Sequence, residues 1–132
     1  MREETIHALV ARLAEFDRVV EVGVGNRPDV AAVLADTGVT VTATDVRERP
    51  TPEGIQFARD DVTDPDRQVY ADADAIYALS LPPELHRPAL DLALDVDAAL
   101  LFTTLGGDPP AVPVERETLP GATLFTAKPQ RP

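Results

Sequence analysis

The segment Glu21-Val22-Gly23-Val24-Gly25-Asn26 follows a short apolar run and leads into a helical pattern. Glycines at those positions let the backbone turn tightly and come close to a ligand. The helix start beyond them is expected to offer unpaired N–H groups and a partial positive charge, which stabilise a carboxylate or a phosphate. Asp45 closes the next β-branched run, and its carboxylate can accept from both hydroxyls of a ribose. Asp60-Asp61-Val62 closes a third run and Ser80-Leu81-Pro82-Pro83 a fourth. Ser80 and His86 are the only catalytic candidates, His86 as a base near that mouth. There is no cysteine, hence no thiolate nucleophile and no zinc site built on sulfur. The two histidines, His7 and His86, are too few for a metal cage, so no metal is expected.

Two ligand classes use a glycine turn of this kind. Dinucleotide binders want G-x-G-x-x-G, and here the third glycine position is Pro28, which opposes the close helix–strand approach a pyrophosphate needs. S-adenosylmethionine binders favour an acid two residues before the first glycine, and Glu21 fits. Their usual third glycine, in E-x-G-x-G-x-G, falls on Arg27, so the match is partial. By resemblance to class I methyltransferases, Glu21, Gly23, Gly25 and Asn26 would hold the methionine end and Asp45 the ribose. Asp61 would cap the adenine, with Val62 packing on the ring. Ser80-Leu81-Pro82-Pro83 resembles the [D/N/S]-P-P-[Y/F/W] loop of amino methyltransferases, which orients the target nitrogen. Here Leu81 brings no side-chain oxygen and Glu84 replaces the aromatic.

These residues must be carried by alternating strands and helices. Ile6, Leu9, Val10, Leu13 and Phe16 predict a helix over 3–16. Strands are expected at 18–22, 39–45, 55–58, 75–79 and 98–103, each ending at one of the residues above or in the loop that follows. Helices are expected over 28–36 and from 83 or 88 to 96, with a helical turn at 64–71. A strand over 112–117, a Pro120-Gly121 turn and a strand over 122–127 complete the chain. Four prolines between strand five and the last strand leave no room for a covering helix, so the last strand is expected to join antiparallel at the edge. The fold class is a Rossmann-like three-layer α/β sandwich. Its sheet is mostly parallel, in the order 3-2-1-4-5, with an antiparallel C-terminal edge strand, in one domain spanning 1–132.

The 132 residues are 44% hydrophobic, which excludes a disordered tail, and no apolar run is long enough to span a membrane. No signal-peptide pattern opens the chain, so a cytoplasmic protein is expected. Net charge is -11, aspartates outnumber glutamates, and Lys128 is the single lysine. This balance resembles proteins of salt-loving archaea, whose carboxylates hold water where salt screens their repulsion. No basic surface is available to recruit nucleic acid.

The stretches VVEVGVGNRPDVAAVLADTGVTVTATDV, RDDVTDP and ADADAIYALSLPPELHRPAL resemble a small archaeal group, uncharacterised protein family 0146. That pattern often carries an arginine before Pro-Pro, where this chain has Leu81. The resemblance implies a fold like the class I methyltransferases and brings no activity with it. The expectation is a small S-adenosylmethionine-binding protein, a methyltransferase of unknown acceptor if it is an enzyme. Two other classes stay open: a non-catalytic nucleotide-binding or interaction module, and an NAD-binding protein. The expected partner is a small nucleoside ligand; a protein partner or a homo-oligomer is also open.

Overall fold

The computed structural model describes residues 1–128. Five strands fall on the β-branched runs: Arg18–Val22 (β1), Thr40–Asp45 (β2), Ile55–Arg59 (β3), Ala75–Ala78 (β4) and Ala99–Phe102 (β5). Val114–Leu119 (β6) and Ala122–Ala127 (β7) follow, joined by Pro120-Gly121. Proline then positive-φ glycine (Gly121, φ +76°) is the sequence of a tight turn. The helices are Glu3–Leu13 (α1), Asp29–Asp36 (α2), Arg67–Tyr70 (α3) and His86–Asp95 (α4). A 3-10 turn over Pro83–Leu85 leads into α4. Pro88 sits in the first turn of α4, where backbone N–H groups have no helical partner to lose.

The sheet order is β3-β2-β1-β4-β5-β7-β6. The first five strands are parallel, and β7 runs antiparallel to both β5 and β6. The antiparallel C-terminal strands thus close one side of the sheet, with β6 outermost. Composition explains the placing. β7 buries Leu124, Phe125 and Ala127, so it suits an interior position. Glu115, Arg116 and Glu117 of β6 are exposed, and charges protect an edge from further pairing.

One core layer lies against α4, around Ile76, Leu92, Leu100 and Phe102. The other lies under α1 and α2, around Leu9, Leu13, Leu34 and Leu101. Burying each such side chain stabilises the fold by about 1.5–3 kcal/mol. Two consequences matter for function. The connection after β1 leads to β2 on one side, while β4 lies on its other side, so a crevice opens above the C-terminal ends of β1 and β4. In addition, β7 pairs with β5 only at Leu101–Thr126 and Phe102–Phe125, so the hairpin turn rises beyond the end of β5.

Candidate functional site

At the end of β1 the chain turns through two glycines with positive φ, Gly23 (+73°) and Gly25 (+59°). A Cβ built on either would meet no protein atom within 4 Å, so the turn borders open space. Its amides are not all bare, which corrects the expectation from sequence. Gly23 and Val24 donate to the Thr44 carbonyl (3.0 Å each), and Gly25 donates to Asp45 Oδ2 (2.9 Å). Those bonds bind the turn to the end of β2. The Asn26 and Arg27 amides donate to no described residue.

Glu21 is 2% exposed, on a strand whose neighbours are otherwise apolar. The parallel register sets it beside Tyr77 of β4, whose hydroxyl donates to Glu21 Oε1 (2.7 Å). Burial pushes the Glu21 carboxyl up to about 7, and the Tyr77 hydrogen bond only partly offsets this. Burial, then the Glu21 charge, drives the Tyr77 phenol well above its ordinary range. Only the strand order makes Tyr77 the partner of the acid.

Glu21, Gly23, Gly25 and Asn26 line a cavity of about 370 Å³ with Leu79 and Ser80. A second, wider cleft of about 870 Å³ lies between the ends of β4 and β5 and the C-terminal hairpin. Met1, Arg27 and Ser80 line both. Ser80 is exposed and held at φ +57°, unusual for a residue with a Cβ, with its amide donating to Thr103 Oγ1 (2.8 Å).

Asp45 is buried behind the turn. Besides the Gly25 amide it takes the Arg47 amide on Oδ1 (3.1 Å), and Arg49 Nε stands 3.6 Å from Oδ2. Burial raises the Asp45 carboxyl, but the Arg47 and Gly25 amides and the Arg49 guanidinium together bring it below its ordinary value. Arg49 also donates to Asn26 Oδ1 (2.8 Å), while its buried Nε has no hydrogen-bond partner. Sequence reading missed Arg49, because nothing in its spacing says that the loop after β2 folds back over the glycine turn.

Three expected residues lie outside both cavity linings, the first being Asp45 itself, 8% exposed behind the turn. Asp61 is exposed, accepts from the Thr63 amide and hydroxyl (2.9 and 2.7 Å) and is not part of either cavity lining. Those two bonds hold its carboxyl below the ordinary range. His86 is fully buried rather than facing the mouth. Its Nδ1 accepts from the Ala111 amide, so Nε2 carries the proton and donates to the Leu81 carbonyl (2.9 Å each). The ring packs on Phe102 with centroids 4.5 Å apart. Both nitrogens are engaged, so the base reading is corrected: His86 ties the Pro-Pro turn to the loop before β6. The Pro82 carbonyl is likewise taken, by the Leu85 amide (2.9 Å). Each of these two carbonyls thus already accepts one hydrogen bond within the turn.

No group of three or more metal-ligating side chains forms among the described residues, nor is any helix there long and apolar enough to cross a membrane. The model of the Uncharacterised protein family (UPF0146) matches residues 4–129. The chain belongs to that family. A UPF0146 protein of Halobacterium salinarum is 56% identical over 121 residues, covering 91% of this chain and 94% of the relative. Other UPF0146 relatives are also archaeal. Among solved structures, an RNA methyltransferase from Salinibacter ruber in complex with S-adenosyl-L-homocysteine aligns over 100% of this chain and 95% of its own, with TM-score 0.68 and 13% identity. Human N-acetylserotonin methyltransferase in complex with SAM aligns over 96% of this chain and 52% of its own, with TM-score 0.69 and 11% identity. UPF0146 thus has a Rossmann-like, methyltransferase-like fold, and at such identities the likeness is one of fold alone.

Proposed function

We propose that this UPF0146 chain binds S-adenosylmethionine, with the methionine end in the cavity at the end of β1. The observation that carries the reading is that cavity: a buried acid, Glu21, beside an open two-glycine turn at the point where the strand order reverses. A cationic amine next to Glu21 favours its ionised form and removes the penalty of a buried, unpaired charge. Asp45 and Arg49 lie behind that lining, tied to it through Gly25 and Asn26, and would take a ribose that reaches past the glycine turn. Each Asp45 oxygen keeps a second lone pair, and a hydroxyl that donates to Asp45 while accepting from Arg49 Nε would satisfy the one orphan donor. Both Thr63 contacts fall on Asp61 Oδ1, so an adenine amino group would be taken by Oδ2. When bound, the ligand supplies a methyl group on a sulfonium; Ser80 lies where the two cavities meet.

Calorimetric titration with S-adenosylmethionine, S-adenosylhomocysteine and NAD in high salt tests this. Saturable heat is expected for the first two, with stabilisation against unfolding of about 3 kcal/mol at a hundredfold excess over Kd. Silence at millimolar ligand, or tighter binding of NAD, overturns it. A second reading, binding without transfer, has its own support: both nitrogens of His86 are locked, and Leu81 brings no side-chain oxygen to the Pro-Pro turn. Incubation with methyl-labelled ligand and archaeal extract separates the two, since only a transferase moves label into a product.

A further inference from the structure

We infer that the wider cleft is a binding site for a small anion, a carboxylate or phosphate monoester, held between Arg27 and Arg116. As a binding site it stands apart from the sulfonium reading; only its part as the acceptor's site rests on that reading.

The chain is strongly acidic, with 23 carboxylate side chains against 12 basic ones. The cleft reverses that balance. Its lining includes two arginines and a single acid, Asp108. Most other arginines are committed: Arg2 to Glu4, Arg12 to Glu15 and Glu117, Arg49 to Asp45, Arg67 to Asp95 and Arg87 to Asp91. Arg27 pairs with no carboxylate among the described residues. Arg116 lies over the Phe125 ring, 5.5 Å from its centroid, which orients the guanidinium without neutralising it. On β6 the flanking Glu115 and Glu117 point to the opposite face, by strand alternation, and Glu117 is drawn off by Arg12. The two arginines come from distant parts of the chain, the glycine turn and the edge strand, and line one cleft because the hairpin rises above β5.

Guanidinium groups hold carboxylate and phosphate oxygens by paired, charge-assisted hydrogen bonds. Thr103, Thr118 and Thr123 on the same walls add hydroxyls suited to the remaining oxygens. A volume of about 870 Å³ is the size of a small-molecule site. A polyanion such as RNA would extend beyond it onto carboxylate-covered surface, so the geometry points to a small ligand.

The test is amide NMR of the whole chain, at the lowest salt that keeps it folded, with phenyl phosphate, benzyl alcohol and benzylamine as probes. Phenyl phosphate is expected to shift the amides of Thr103, Gly106, Gly107 and Thr118. Arg27→Gln and Arg116→Gln should each weaken that binding about tenfold, while Arg67→Gln, which removes the same charge elsewhere, should leave it unchanged. Both cleft arginines are exposed, so far-UV dichroism should show the variants folded. Absence of cleft shifts, equal shifts with benzylamine, equal weakening by Arg67→Gln, or tighter binding of an RNA oligonucleotide than of phenyl phosphate would each overturn the inference. S-adenosylmethionine titrated into the unmutated chain and into Arg116→Gln reads the neighbouring cavity separately, because Arg116 lines only the wider cleft, so failure of one site is distinguishable from failure of the other.

Discussion

Replacing Glu21 by Gln should stabilise the protein in alkaline solution and leave it nearly unchanged in acid. Glu21 is buried, and its carboxyl ionises at about 7 in the fold against 4.5 ordinarily. Between those values the folded chain holds a proton that the unfolded chain releases. Stability therefore falls as pH rises through this window, and the full penalty is present above about 7. At ~1.4 kcal/mol for each factor of ten in proton affinity, the penalty is about 3 kcal/mol. Glutamine has the same shape, still accepts from the Tyr77 hydroxyl, and does not titrate. Urea unfolding of both proteins at constant high salt measures the difference. All other carboxylates titrate alike in the two and cancel. The unfolding free energies should nearly coincide at pH about 4 and differ by about 3 kcal/mol at pH about 8, with unchanged slope. A gap of the same size at both pH values would refute the assignment of the penalty to Glu21.

Three further outcomes follow from the site. Affinity for S-adenosylmethionine should climb by up to about tenfold per pH unit between about 5 and 7, because the cation selects ionised Glu21; calorimetry in two buffers of different ionisation heat should register a released proton, and a flat profile removes Glu21 from the ligand's surroundings. Gly25→Ala places a Cβ in the open cradle at φ +59°, with about 1–2 kcal/mol of strain, and should weaken ligand binding beyond that loss of stability; undiminished affinity would show that the ligand lies elsewhere. His86→Ala leaves a hole against Phe102 and strands the Ala111 amide and Leu81 carbonyl, so urea unfolding should show a loss of about 3 kcal/mol, whereas a loss below about 1 kcal/mol would contradict a structural cross-link.

The regular elements were largely readable because each is written locally. The alternation of β-branched runs with amphipathic helices predicted the parallel strands and their order, and Pro120-Gly121 predicted the hairpin. The misses are ends and positions. The first helix stops at Leu13 rather than 16, since the exposed Ala14 and Glu15 bury nothing to extend it. The edge strand begins at Val114 rather than 112, because the chain before it bends where the Ala111 amide meets His86. Among site residues, Glu21, Gly23, Gly25 and Asn26 share one cavity lining, as their short spacing allowed. Asp45, Asp61 and His86 are not there: Asp45 is turned onto Gly25 and Arg47, Asp61 onto Thr63, and His86 onto Leu81 and Ala111.

The sequence by itself determined which residues would stand at the C-terminal ends of the strands, because β-branched and apolar runs and their punctuation by glycine, proline and aspartate are local properties. Tertiary structure alone decided what those residues face. It set Tyr77 against Glu21 through the β1–β4 register, drew the glycine-turn amides onto β2, and locked His86 between two loops. It also brought Arg27 and Arg116 to one cleft by lifting the hairpin above β5. The physical reason is that hydrogen-bond partners, burial and ionisation are set by neighbours in space, and the β1–β4 and β5–β7 pairings join segments far apart in the chain.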